Sequence, residues 1–189
     1  MSADVIDTLA GIAEDSHLHG LRAQRTQARD NAQASYEALF EPAEPGDMMS
    51  KERFAVAVFV AGLHRQPEIA AFYAHSLNAA SGGPALRAHV EAEMERGATE
   101  GPYGHFPAGP LTAEDTEGPT YRVPDDARAT LGDRLAAAME HAHMLVFHPR
   151  DASPAHLQVL LDAGWSATGI VTLSQIVSFL SFQIRVSVT

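Results

Sequence analysis

The run FAVAVFVAGL, residues 54–63, has no polar face. A helix drawn through it is apolar on every side, so protein must surround it. A second stretch, LSQIVSFLSFQIRV at 173–186, makes a similar demand. Ser174, Ser178, Ser181 and Arg185 follow at spacings of four, three and four, which places them on one helical stripe. Ile170, Leu173, Ile176, Val177, Phe179, Leu180 and Phe182 fill the other faces. The polar residues interrupt this run too often for a membrane span, which takes about 20 mostly apolar residues. The pattern predicts a central packing helix, buried nearly all round, at or near a subunit contact.

Helical periodicity dominates the rest of the chain and strand signals are weak. The spacing predicts helices over 5–13 and 21–40, then a Pro- and acid-rich linker over 41–50. Ser50 is expected to cap the next helix, with Met49 and Phe54 as a hydrophobic staple. Pro67 and Pro84 suit the first turns of two further helices, ending near Ala80 and Gly97. Residues 101–125 hold four Gly and five Pro, so no regular element is expected there, although Tyr103, Phe106 and Tyr121 argue for a segment packed down as a lid. One helix is predicted over 127–147, another from the Ser153-Pro154 cap to Gly164, and the tail helix from the cap at Ser166. The expected fold is all-α, one domain and oligomeric. It divides into an N-terminal helical extension (1–47), first core helices (48–100), the Gly/Pro loop (101–125) and C-terminal core helices (126–189).

Composition narrows the function classes. The 189 residues carry a formal net charge of −11, and an acidic surface repels phosphate backbones, so no nucleic-acid partner is expected. No basic cluster suggests an anionic membrane. There is no cysteine, which removes disulfides, thiolate nucleophiles and thiolate-ligated metals together. The N-terminus lacks the basic start and apolar run of a secretory signal, so a cytoplasmic location is expected.

The stretch HPRDASPAHLQVLLDAGWSATGIVTLSQIVSFLSFQIRV (148–186) resembles the C-terminal part of the carboxymuconolactone decarboxylase and alkylhydroperoxidase D-like superfamily. There a short helix ends in an L-x-x-A-G-[FW]-S turn and an I-V-x-L-x-Q helix follows. MMSKERFAVAVFVAGLHRQPEIAAFYAHSL (48–77) is similar to the helix pair that carries the active site in that superfamily, and the N-terminal segment to the extension of a peroxidase-related branch. The resemblance implies an all-α helical bundle assembled into dimers, trimers or hexamers. For peroxidase members it implies a Glu, a C-x-x-C and a His; for lactone decarboxylase members, a small acidic lactone as substrate and no need of a thiol. This chain departs from the peroxidase pattern at its centre. Anchoring on His75 puts the cysteine positions at Glu68 and Ala71, and anchoring on Glu52 puts them near His64 and Pro67. Neither register supplies sulfur, so thiolate attack on a peroxide has no nucleophile.

Glu52 and His75, on adjacent predicted helices that pack in the family, are the proton-transfer candidates, with His143 as a third. Each has a structural reading too. Glu52 suits the N-terminal end of a helix dipole, His75 a partly buried surface position, and His143 a hydrogen-bonded core position. His141 and His143 are expected to point to different faces of their helix. The ten histidines include no H-x-x-x-H or H-E-x-x-H pattern, so neither metal nor cofactor is expected. Gln175, Gln183 and Arg185 need partners if buried. Two readings stay open: an enzyme doing acid–base work on a small molecule, or a catalytically silent homologue with a binding or assembly role.

Overall fold

The computed structural model describes residues 4–188. It is all-helical, and among these residues the only β pairing is an isolated bridge between Gly104 and Thr116. The chain begins with α1 (Val5–Leu9), α2 (His17–Ala23) and α3 (Thr26–Phe40). Next come α4 (Ser50–Leu63), α5 (Pro67–Ala79) and α6 (Pro84–Arg96). The long loop holds one 3-10 turn, Pro110–Glu114, and leads to α7 (Asp125–Leu131) and α8 (Asp133–Phe147). A second 3-10 turn, Pro149–Asp151, precedes α9 (Pro154–Asp162) and α10 (Ala167–Ser187).

The polar-free run does lie at the centre. Residues 55–61 of α4 are all buried, and α4 contacts α3, α5, α6, α8 and α10. A Cβ on Gly62 would collide with the Met94 side chain of α6, which packs into the space that the glycine leaves. Arg53 is buried too, and its guanidinium donates to the carbonyls of Met48 (2.8 Å), Leu39 (2.5 Å) and Pro45 (2.8 Å). The linker before α4 is thereby fastened to the core through backbone acceptors.

Five expectations need correction. The helix expected over 5–13 stops at Leu9, and Gly11 follows with φ 63°. The stretch 21–40 is two helices, because α2 ends at Ala23 and the chain turns at Gln24 and Arg25 before α3. The stretch 127–147 is also two: Gly132 separates α7 from α8 at φ 80°, ψ 153°, a conformation that only glycine adopts without strain. Met49, not Ser50, is the N-cap of α4, and the Glu52 carboxylate closes the turn by accepting from the Met49 N–H at 2.8 Å. The tail helix is not buried all round. Leu173, Ile176, Val177, Leu180 and Ile184 face inward, but Val171, Phe182 and Val186 are exposed. By length and composition α10 is apolar enough to cross a bilayer, with a mean hydropathy of 1.4, yet half of that window is already buried inside the fold. Its start matches expectation: the Ser166 hydroxyl accepts from the Gly169 N–H at 3.0 Å and Trp165 is buried behind it.

The Gly/Pro loop is packed down. The Tyr103 N–H donates to the Phe147 carbonyl at 2.6 Å, Phe106 lies under the Arg150 guanidinium, and Tyr121 packs against Phe59 of α4. Its last part, 119–123, runs as a strap across α8.

Candidate functional site

Under that strap lies a cleft of about 120 Å³. Its floor is α8, which supplies Ala137, Glu140, His141, His143 and Met144. Thr120, Tyr121 and Arg122 of the strap form one wall; His148 and Asp151 of the following turn, with His156 and Val159 of α9, form the other. Four histidines therefore converge on one small volume.

Each ring is held differently. His143 is buried, and its Nε2–H donates to the Gly97 carbonyl at 3.0 Å. It stacks on Tyr121 with centroids 4.9 Å apart and touches Phe147. Burial pushes its pKa down to about 4, against a smaller upward pull from the Gly97 carbonyl. His141 shares a hydrogen bond with the Ser174 hydroxyl of α10 at 3.2 Å. Its Nδ1 is sealed from solvent without a partner, and burial, followed by the neighbouring His156, pushes its pKa to about 4 as well. Both rings are thus neutral at neutral pH. The nitrogens of His148 face two acceptors, the Asp151 carboxylate and the Pro119 carbonyl, each at 3.0 Å. His156 is steadied through Nδ1 by the Ser153 hydroxyl at 3.0 Å.

Two buried carboxylates support the strap. Glu140 accepts from the Val123 N–H at 3.0 Å, from Arg128 at 2.5 Å and from Arg122 at 2.8 Å. Glu93 of α6 accepts from the Tyr121 hydroxyl at 2.6 Å and from Arg96 at 3.1 Å. Both are fully engaged in positioning and offer no free acid.

Of the three proton-transfer candidates, Glu52, His75 and His143, only His143 lies in this cleft. Glu52 is buried, and its second oxygen accepts from Arg134 Nε at 2.8 Å. His75 is exposed on α5 and makes no hydrogen bond or ion pair among the described residues. The fold does not bring Glu52 and His75 together. His141 and His143 diverge as their spacing requires, one toward α10 and the other toward the end of α6, yet both rings touch the cleft because it wraps the side of α8. Gln183 is fully buried and accepts from the Tyr73 hydroxyl, while its Nε2 has no partner. Arg185 is exposed and donates to the Ser181 carbonyl at 3.1 Å.

Sequence reasoning passed over His156, Asp151, Tyr121 and Glu140 as site residues. The available signals were the i,i+3 pairs His148–Asp151 and Ser153–His156, which are local and common. Among the described residues no group of three or more His, Asp or Glu side chains could hold a metal ion. No protein-family model, no curated protein and no solved structure matches the chain.

Proposed function

We propose that this protein is a thiol-free relative of the alkylhydroperoxidase D-like and carboxymuconolactone decarboxylase superfamily that binds a small, oxygen-rich molecule in the histidine cleft and moves a proton there. The observation that carries the reading is His141: a neutral, buried imidazole in the cleft wall with one unmet hydrogen bond. An orphaned buried nitrogen costs about 1–3 kcal/mol, and a ligand that opened the wall and supplied a donor or acceptor would recover it. His141 and His143 are proton acceptors at neutral pH, and His148, set against the Asp151 carboxylate and the Pro119 carbonyl, lines the same cleft. A neutral imidazole in a sheltered cleft is the base that general acid–base catalysis needs. The chain has no sulfur nucleophile, so thiol-dependent peroxide reduction is not its chemistry. The reading carries with it a cytoplasmic location, which a cysteine-free chain suits.

The test is a ligand screen with small hydroxy acids and lactones, read on the histidine ring resonances. Binding is expected to shift the His141 and His143 signals together, and His141→Phe to abolish the shift while the protein stays folded. Ligands that leave both rings unmoved would remove the cleft from consideration. Organic hydroperoxide plus a thiol reductant should give no turnover above background. A second reading, a catalytically silent protein with a binding or assembly role, draws support from the apolar surface that α10 leaves open.

A further inference from the structure

The groove where α2, α3 and α10 meet combines an apolar floor with a positive rim. It holds about 420 Å³, within the roughly 300–1,000 Å³ of sites that take small molecules. Leu21 of α2, Ala28 and Ala32 of α3, and Phe182 and Val186 of α10 line it. Leu21, Phe182 and Val186 are between 42% and 48% exposed, so an aliphatic chain laid here would displace water from apolar surface. Arg22, Arg25 and Arg29 stand at its rim. Two of the three are committed. Arg22 donates to Asp4 at 2.9 Å and also to Asp7. Arg29 donates to Asp4 at 3.0 Å and lies 3.5 Å from Asp7. His19 shares Asp7 at 3.1 Å. The two carboxylates at the start of α1 thereby hold two guanidiniums in place. Three guanidiniums against two carboxylates leave one positive charge over. It falls to Arg25, whose guanidinium makes no hydrogen bond or ion pair among the described residues. No acid among the described residues lines the groove, in a chain of 24 acids to 13 bases.

We propose that this groove binds one free long-chain carboxylate, a fatty acid, with its headgroup on Arg25 and its alkyl chain along the seam of α3 and α10. The charge selects the headgroup. A monoanion matches the single surplus charge, and the two oxygens of a carboxylate fit the two parallel N–H groups of a guanidinium. Arg22 and Arg29 add positive potential beside it without leaving Asp4 and Asp7. The floor selects the tail. Five apolar side chains and no acid face it, and each methylene covered there gains hydrophobic free energy. One turn beyond Ala32 and Phe182, Ser35 and Ser178 border a second groove of about 740 Å³ with Ala38, Val171 and Phe179 in its walls, so a longer tail finds apolar surface further along the same seam. A bilayer suits the site less. The groove is a furrow between helices, the inner half of α10 is committed to the core, and a net charge of −11 repels anionic lipid. The site shares no lining residue with the histidine cleft and stands independently of it.

Titration calorimetry of the full chain tests the assignment, with octanoate, decanoate and dodecanoate below their micelle concentrations as probes and decanol as the uncharged control. Sedimentation velocity and flotation on phosphatidylcholine vesicles run alongside. The expected result is one carboxylate per chain, with affinity rising roughly twofold to fourfold per added methylene. Decanol should bind roughly tenfold or more weakly than decanoate. Arg25→Gln, on an exposed position, should weaken decanoate roughly tenfold and leave decanol unchanged. Ala28→Phe, also exposed, should fill the floor and abolish binding of both while the far-UV circular dichroism stays that of the parent. His141→Phe should leave the decanoate titration unchanged, which separates this groove from the histidine cleft. No binding, several carboxylates per chain, equal affinity for decanol, or a decanoate affinity indifferent to Arg25→Gln or Ala28→Phe each overturns the proposal. So does loss of binding in His141→Phe, self-association that closes the groove to decanoate, or flotation in place of carboxylate binding.

Discussion

The Arg134 guanidinium lies 3.8 Å from the centre of the Trp165 ring, and the Trp165 indole N–H donates back to the Arg134 carbonyl at 2.9 Å. Two residues at the starts of α8 and α10 thus hold each other twice. The same guanidinium reaches Glu52 at 2.8 Å, the Gly164 carbonyl at 2.6 Å and the Asp47 carbonyl at 2.5 Å. It joins the N-terminal ends of α4, α8 and α10, and this accounts for the burial of Glu52.

A planar fork that serves three directions and a stack cannot be replaced by a point charge. Arg134→Lys is expected to cost about 2–4 kcal/mol in urea denaturation, because it strands a buried carboxylate and two carbonyls. Glu52→Gln should cost less, since the amide oxygen still accepts from one donor. A lysine variant within about 0.5 kcal/mol of the parent, the ordinary scatter of neutral surface changes, would show that the fork is not needed.

The two buried histidines set the acid side of the stability profile. Their folded pKa values, about 4 for both, lie below the unfolded value near 6.5. The unfolded chain therefore binds these protons first, and stability falls as pH drops from about 6.5 toward 4 while being fully present above that window. The ring signals of His141 and His143 are expected to stay in the neutral position at pH 5.5. His143→Phe should flatten the loss of denaturation midpoint between pH 7 and 5. Titration of either ring near pH 6.5 would contradict the burial argument.

The centre of the fold was legible from sequence because a helix without a polar face has one solution: burial on all sides. The tail helix was only half legible. Its inward face reads from apolar spacing, but Val171, Phe182 and Val186 are chemically alike whether they meet the core, a second copy or water, so no pattern in one chain sorts them. Helix breaks at 24–25 and at Gly132 were missed for a related reason: periodicity continues across both, and the glycine's effect lies in a backbone angle that residue type permits without requiring. The site was the least legible part. His141 and His143 are two apart and look divergent. That both touch one cleft depends on the strap 119–123, and the strap is placed by Glu93 and Glu140 from distant helices. Glu52 and His75 drew notice as a plausible chemical pair, but the capping demand of α4 and the reach of Arg134 decide where the glutamate goes.

Gly132 offers a direct test of the break between α7 and α8. Nothing lies within 4 Å of a Cβ added there, so space is not the constraint; the backbone angle is. Gly132→Ala is expected to cost about 1–3 kcal/mol through strain alone. Gly132→Asn should cost no less, because ψ of 153° lies outside the left-handed helical well that asparagine tolerates. Equal stability of the alanine variant would mean that the two helices fuse into one when glycine is removed, which helical content by circular dichroism would report as a gain.

The strap itself can be tested through Tyr121 and Glu93. The carboxylate of Glu93 is almost completely buried and takes one of its two side-chain donors from the Tyr121 hydroxyl at 2.6 Å. Removing that hydroxyl in Tyr121→Phe leaves a buried carboxylate oxygen unpaired, at an expected cost of about 1–3 kcal/mol at pH 7. The phenol carries a second signature. Burial, and after it the hydrogen bond to Glu93, push its pKa upward, so its contribution is present below the unfolded tyrosine value near 10 and is lost as pH rises toward the folded one. The parent should therefore lose stability above about pH 10 through this group, the phenylalanine variant should not, and the gap between them should narrow with rising pH. Amide exchange at Thr120 to Val123 should quicken in the variant at neutral pH, because the strap loses its tether to α6 while keeping the bond from Val123 to Glu140. A gap that stays constant from pH 7 to 11, with unchanged exchange, would show that the hydroxyl neither holds the strap nor satisfies the acid.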